Sequence, residues 1–122
     1  MQKWKQSCAV TGLGCSALLK ASHVKPWGAS SSSERLDGDN GLMLAAHLDA
    51  LFDRGFISFD DQGSMLLSEE LPIEERNYFG LPQTLRIAPN AKLCQYLKYH
   101  REHIFRVQRS TQIRTRKKFS IR

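Results

Sequence analysis

Apolar positions along this chain come in short runs. "CAVT" at 8–11 and "ALLKASHV" at 17–24 are separated by "GLGCS", whose two glycines mark a turn. The pattern predicts two strands of a hairpin, although "ALLKAS" is also compatible with a helical turn. Pro26 ends the second strand and biases Lys25 towards an extended conformation. The stretch "GASSSSERLDGDN", Gly28 to Asn40, has no apolar residue except Ala29 and Leu36, and is expected to be a loop with a flexible serine run.

The densest apolar region is "NGLMLAAHLDALFDRG". Leu42 and Leu44 alternate as in a strand, whereas Leu48, Leu51 and Phe52 recur at helical spacing before Gly55 supplies a stop, so the segment reads as strand, then short helix. "FISFDDQGSMLLS" reads as a hairpin turning at "DDQG". In "LPIEERNYFG", Pro72 suits a first helical position, and Glu74 and Glu75 fall in the first turn, where the helix dipole favours anions. The longest helical candidate is "NAKLCQYLKYHREHIFRVQR", with Leu93, Tyr96, Leu97, His100, Ile104 and Val107 in one stripe. No internal repeat is present.

At 122 residues the chain fits one domain with one modest core. Apolar residues are 41% and charged residues 25%, and no apolar run approaches the roughly 18 residues of a membrane span. The N-terminal "MQKWKQSCAVTG" lacks the apolar stretch of a secretory signal, so a cytoplasmic location is expected. Cys8, Cys15 and Cys94 supply neither a disulfide framework nor a four-cysteine zinc site, and are expected to be free thiols.

The net charge of +6 is unevenly placed. Arg106, Arg109, Arg114, Arg116, Lys117, Lys118 and Arg122 lie in the last 17 residues with no acid among them, and the rest of the chain is about neutral. Such a tail suits salt-sensitive, sequence-independent binding to nucleic acid by counterion release, and equally suits a solvated terminus.

Polar groups with chemical potential gather in one region: His23 at a strand end, Asn40 opening the next segment, then His47, Asp49 and Asp53 on the helix. Asp49 and Asp53, four apart, share a helix face and can present two oxygens to one hard cation. His47 falls about 200° around the helix from Asp49, which makes it the less certain ligand unless it precedes regular helix. Each residue also has a plain structural reading. His23 suits a hydrogen-bonded core position, Asn40 a turn, and the two aspartates a solvated helix face. His100 and His103 read as structural or surface residues.

Order and spacing together change these odds. "CAVTG", "ASHVKPW", "RLDGDNGLML" and "HLDALFDRGFISFDDQG", in that order, resemble the HNH endonuclease family, in the branch patterned C-x-x-T-G, A-x-H-I-x-P-W, N-G-L-x-L and L-F-D-x-G. The later "YHREHIF" is similar to that branch's C-terminal helix, so the resemblance covers about residues 7 to 105. It implies an α+β fold: a ββα-metal core with an additional β-hairpin and C-terminal helices. The implied activity is metal-dependent hydrolysis of DNA phosphodiesters.

In that family His23 matches the general base and Asn40 the residue that orients the base or braces its loop, and one divalent cation polarises the scissile phosphate. Carboxylate ligands favour Mg or Mn, with Ni or Zn open if a histidine takes part. Two departures stand out. Ser22 occupies the place where many HNH enzymes carry an Asp or His ligand. The family's third histidine usually falls nine residues after the Asn, where this chain has Asp49, while His47 falls at seven and Asp53 at thirteen. The helix is therefore read as supplying Asp49 and Asp53, with His47 a rival to Asp49.

The expected division is an HNH nuclease domain over residues 1–105 and a basic tail over 106–122. The tail cations Arg109, Arg114, Arg116, Lys117 and Lys118, with Lys20, Lys25 and Arg35, are expected to contact the DNA backbone. Family members often work in restriction or defence beside a target-recognition domain or subunit. The rival expectation is an HNH-fold DNA-binding module without catalysis, motivated by Ser22 and the displaced histidine.

Overall fold

The computed structural model describes residues 6–107. Two small antiparallel sheets and four helices follow one another: β1 (Leu19–His23), α1 (Ser32–Leu36), β2 (Gly41–Ala45), α2 (Ala46–Asp53), β3 (Ile57–Phe59), β4 (Met65–Leu67), α3 (Ile73–Tyr78) and α4 (Ala91–His103). This is the expected α+β class. The expected strand and helix of "NGLMLAAHLDALFDRG" form as β2 and α2, and "FISFDDQGSMLLS" forms the hairpin β3–β4.

β1 pairs with β2, running from Leu19 opposite Ala45 to His23 opposite Gly41, and α2 continues directly from β2 and packs on both strands. The partner expected for this strand, residues 8–11, forms no strand. Cys8 Sγ accepts the N–H groups of Val10 and Thr11 at 3.4 and 3.3 Å, and Gly12 N–H returns to Cys8 O at 3.0 Å with φ +81°. These local bonds curl the segment into a tight turn and take donors a strand would need. β2 takes that place: four of its five residues are buried, so the β1–β2 pair is set against the core, and the 8–11 segment meets β2 through Ala9 N–H donating to Met43 O at 2.7 Å.

The serine-rich stretch is also more ordered than its composition suggests. Ser31 accepts from Glu34 N–H at 3.2 Å, and Glu34 carboxylate accepts from Ser31 N–H at 2.8 Å. This capping box starts α1, and its S-x-x-E signature is present in the sequence. Pro72 caps α3 rather than opening it, a shift of one position.

The core lies where α2 and α4 close over the strands, centred on Leu42, Leu44, Leu48, Phe52, Phe59, Leu93 and Leu97. His100 belongs to it. Its Nε2–H donates to Phe52 O at 2.8 Å, its Nδ1 accepts from Ser58 Oγ at 2.8 Å, and the ring stacks on Phe52 at 3.8 Å. Burial holds this imidazole down at about 4, so it is neutral near pH 7. Its stripe on α4 follows the expected pattern through Leu93, Tyr96 and Leu97, then ends, with Ile104 capping the helix and Val107 exposed. Arg106, counted with the basic tail, is anchored: it donates to Arg54 O at 2.7 Å and lies 4.4 Å over the Phe56 ring. The tail cations from Arg109 onward lie outside the described residues.

Candidate active site

β1 carries His23 to the sheet end where the chain leaves for α1. The imidazole is half-buried, its Nε2 lies 3.3 Å from Arg35 O, and its ring stands edge-on to Trp27 at 5.4 Å. A carbonyl only accepts, so this contact selects the tautomer with the proton on Nε2. The lone pair is then left on Nδ1. Ser22 is buried, and alternation along a strand sends its side chain to the opposite face from His23.

Asn40 is buried at the foot of β2, and its side-chain hydrogen bonds go to Lys25, Ser30 and Glu34 rather than to His23. Its Oδ1 accepts from Lys25 N–H at 2.8 Å, and its Nδ2 donates to Glu34 O at 3.1 Å, with longer bonds to Lys25 O and Ser30 Oγ, both at 3.4 Å. The amide therefore ties the exit of β1 to α1 across the loop. Lys25 Nζ pairs with both oxygens of Glu34 at 3.0 Å, and Lys92 and Tyr96 of α4 reach Asp37 at 2.8 and 2.7 Å. The bonds from Lys92, Asp39 N–H and Tyr96 hold the Asp37 carboxyl down at about 2, and burial and Asp37 together push the Tyr96 hydroxyl up to about 12.

Trp27, which follows the exit of β1, is 56% exposed. Arg35 holds it from above, with the guanidinium 4.4 Å over the ring and Nε donating to Trp27 O at 3.0 Å. Lys20 is exposed on β1.

On α2, Leu48, Leu51 and Phe52 face the core. His47 and Asp49 flank that face on opposite sides, because two steps of about 100° separate them and the helix is already regular at Ala46. His47 is exposed and stacks on Phe79 at 5.6 Å. Asp49 is half-buried on the other flank, and Asp53, one turn later, is exposed on the same side as Asp49. Among the described residues no three His, Cys, Asp or Glu side chains come together as a metal-holding group, so His47, Asp49 and Asp53 do not converge.

The strand, loop, strand and helix that carry these groups form one ββα unit. Residues 8–60 match the HNH endonuclease family model. The HNH resemblance read from the sequence therefore holds over this segment, which contains His23, Asn40, His47, Asp49 and Asp53. The HNH match ends within the β3–β4 hairpin, so α3 and α4 lie outside it. No curated protein matches the chain. Among the described residues no helix is long and apolar enough to cross a membrane.

The HNH segment also holds contacts that sequence reasoning missed. The Trp27–Arg35 pair and the Lys25–Glu34 pair join residues eight and nine positions apart across a stretch expected to be a flexible loop. The capping box was the available signal that this stretch folds back.

Proposed function

We propose that the chain is a metal-dependent HNH endonuclease that hydrolyses phosphodiester bonds in DNA, with His23 as general base. The observation that supports it most is the His23–Arg35 contact. With Nε2–H directed at Arg35 O, the Nδ1 lone pair is available to take a proton from an attacking water. The backbone carbonyl also stabilises the imidazolium that forms, because it faces an N–H whose acidity rises on protonation. Asn40 braces the loop that delivers this carbonyl, through Lys25 and Glu34, and takes no part in the proton transfer.

Asp49 and Asp53 suit a hard cation. Two carboxylates on one helix face fit Mg or Mn, which keep several waters and accept substrate phosphate oxygens, better than the nitrogen and sulfur sets of Zn or Ni. Once bound there, such an ion supplies Lewis-acid polarisation of the phosphate. His47, on the far flank against Phe79, is left out of this set. Lys20, Lys25 and Arg35, with the tail cations, would contact the backbone and fix position rather than sequence. The nuclease domain is taken to span residues 1–105 and the basic tail 106–122, in a cytoplasmic protein of restriction or defence whose target choice rests with another domain or subunit.

One observation favours a second reading. The lack of a three-ligand cluster among the described residues suits an HNH-fold module that binds DNA without cutting it. Supercoiled plasmid incubated with the protein and Mg or Mn, then with a chelator, separates the two. Nicking that the chelator abolishes supports the nuclease, and salt-sensitive binding without nicking under any metal supports the binding module.

A further inference from the structure

The Trp27 side chain contacts two groups of the candidate site. Its ring meets the His23 imidazole edge-on at 5.4 Å and lies 4.4 Å beneath the Arg35 guanidinium. A tryptophan 56% exposed buries too little to serve the core, so its placement needs another account. Arg35 is joined to the same pair twice over, since its carbonyl receives His23 Nε2–H and its Nε donates to Trp27 O.

The charge balance around this trio is uneven. The nearest acid in sequence, Glu34, has both oxygens on Lys25, and no carboxylate among the described residues pairs with Arg35. With Nε engaged, the Nη1 and Nη2 groups remain as a planar fork, the geometry that matches two oxygens of a phosphate. An aromatic face under a guanidinium restrains its plane and so lowers the ordering cost of using the fork.

We propose that Trp27 is a positioning residue that holds the His23 imidazole and the Arg35 guanidinium in fixed relation, so that Arg35 grips a phosphate of the DNA backbone beside the base. The proposal rests on the nuclease reading above and adds to it a residue that touches no reacting atom. The bond from Arg35 Nε to Trp27 O is to backbone, so it survives substitution of the side chain. Changing the ring therefore probes the ring alone.

The test uses the full chain with Mn and plasmid DNA, comparing wild type with Trp27→Ala, Trp27→Phe and Arg35→Lys, each checked by circular dichroism and thermal melting. Trp27→Ala is expected to lower kcat about tenfold and displace the acid limb of the pH profile, while Trp27→Phe restores most of both. Arg35→Lys is expected to raise KM severalfold, because a point charge replaces the fork. The nitrogen chemical shifts of the His23 ring give a readout free of turnover: predominantly the Nε2–H tautomer in wild type and a mixture in Trp27→Ala. An unchanged kcat, pH profile and ring pattern in Trp27→Ala would overturn the proposal, as would a rise in KM alone, which would make the ring a DNA contact. If wild type cuts no DNA, the nuclease reading fails, and the ring shifts still decide whether Trp27 positions His23.

Discussion

Asn40 and Lys25 are hydrogen-bonded in both directions: the Asn40 amide oxygen accepts Lys25 N–H at 2.8 Å and the amide nitrogen donates to Lys25 O at 3.4 Å. One side chain thereby extends the β1–β2 pairing past His23, where the strands have already parted. Removing it leaves the half-buried Lys25 N–H without its partner and the Glu34 carbonyl with only the longer bond from Asp37 N–H at 3.3 Å. Asn40→Ala is expected to cost about 2–3 kcal/mol in chemical denaturation. Asn40→Asp keeps the acceptor but turns an anion towards two carbonyls, and is expected to cost at least as much. Equal stability of Asn40→Asp and wild type would show that the amide donor contributes nothing.

The His100 imidazole gives the fold a pH dependence. Its value of about 4 lies below the ordinary 6.5, so between these pH values the unfolded chain binds a proton that the folded chain refuses. The contribution is complete above about pH 6.5 and is lost as pH falls towards 4, by up to about 3 kcal/mol. Asp37, held at about 2, acts in the same direction but only in the more acid window below its ordinary 3.8. Denaturation series from pH 7 to 4 should show wild-type stability falling and His100→Gln, less stable at pH 7, falling less. Parallel slopes would remove His100 as the cause.

Gly55 sits at φ +81° where α2 hands over to β3, and its Cα faces the carbonyl of Ile104 so closely that a Cβ would collide with backbone. Gly55→Ala combines a left-handed conformation with that collision. The expected loss is about 2 kcal/mol or more, seen as a lower melting temperature. A neutral result would mean the α2–α4 junction yields easily.

Much of this is legible in the chain, and the failures have local causes. β2, α2 and the β3–β4 hairpin carry clean alternation, helical spacing and glycine stops, and each forms as expected. The 8–11 segment departs because an apolar run states burial but not extension, and the Cys8 sulfur captures its N–H groups. The 28–40 segment departs because composition hides a capping box. Within the site, helical phase by itself sets His47 apart from Asp49. The Arg35 carbonyl that fixes the His23 tautomer is a backbone group brought in by a folded loop, and no side-chain pattern encodes it.

Metal affinity should divide the α2 residues. Asp49→Asn and Asp53→Asn are each expected to weaken Mn binding about tenfold or more by calorimetry, because each removes a charged oxygen donor. His47→Ala is expected to leave affinity within about twofold, since its ring packs on Phe79. The opposite order would move the cation to the other flank of α2.

The central claim is that His23 takes the proton from water. The rate of plasmid nicking with saturating Mn, compared between wild type and His23→Ala at equal DNA binding, tests it most directly. A fall of about a hundredfold or more in His23→Ala, with DNA affinity and melting temperature held, is the expected result. Nicking by His23→Ala at the wild-type rate would contradict it.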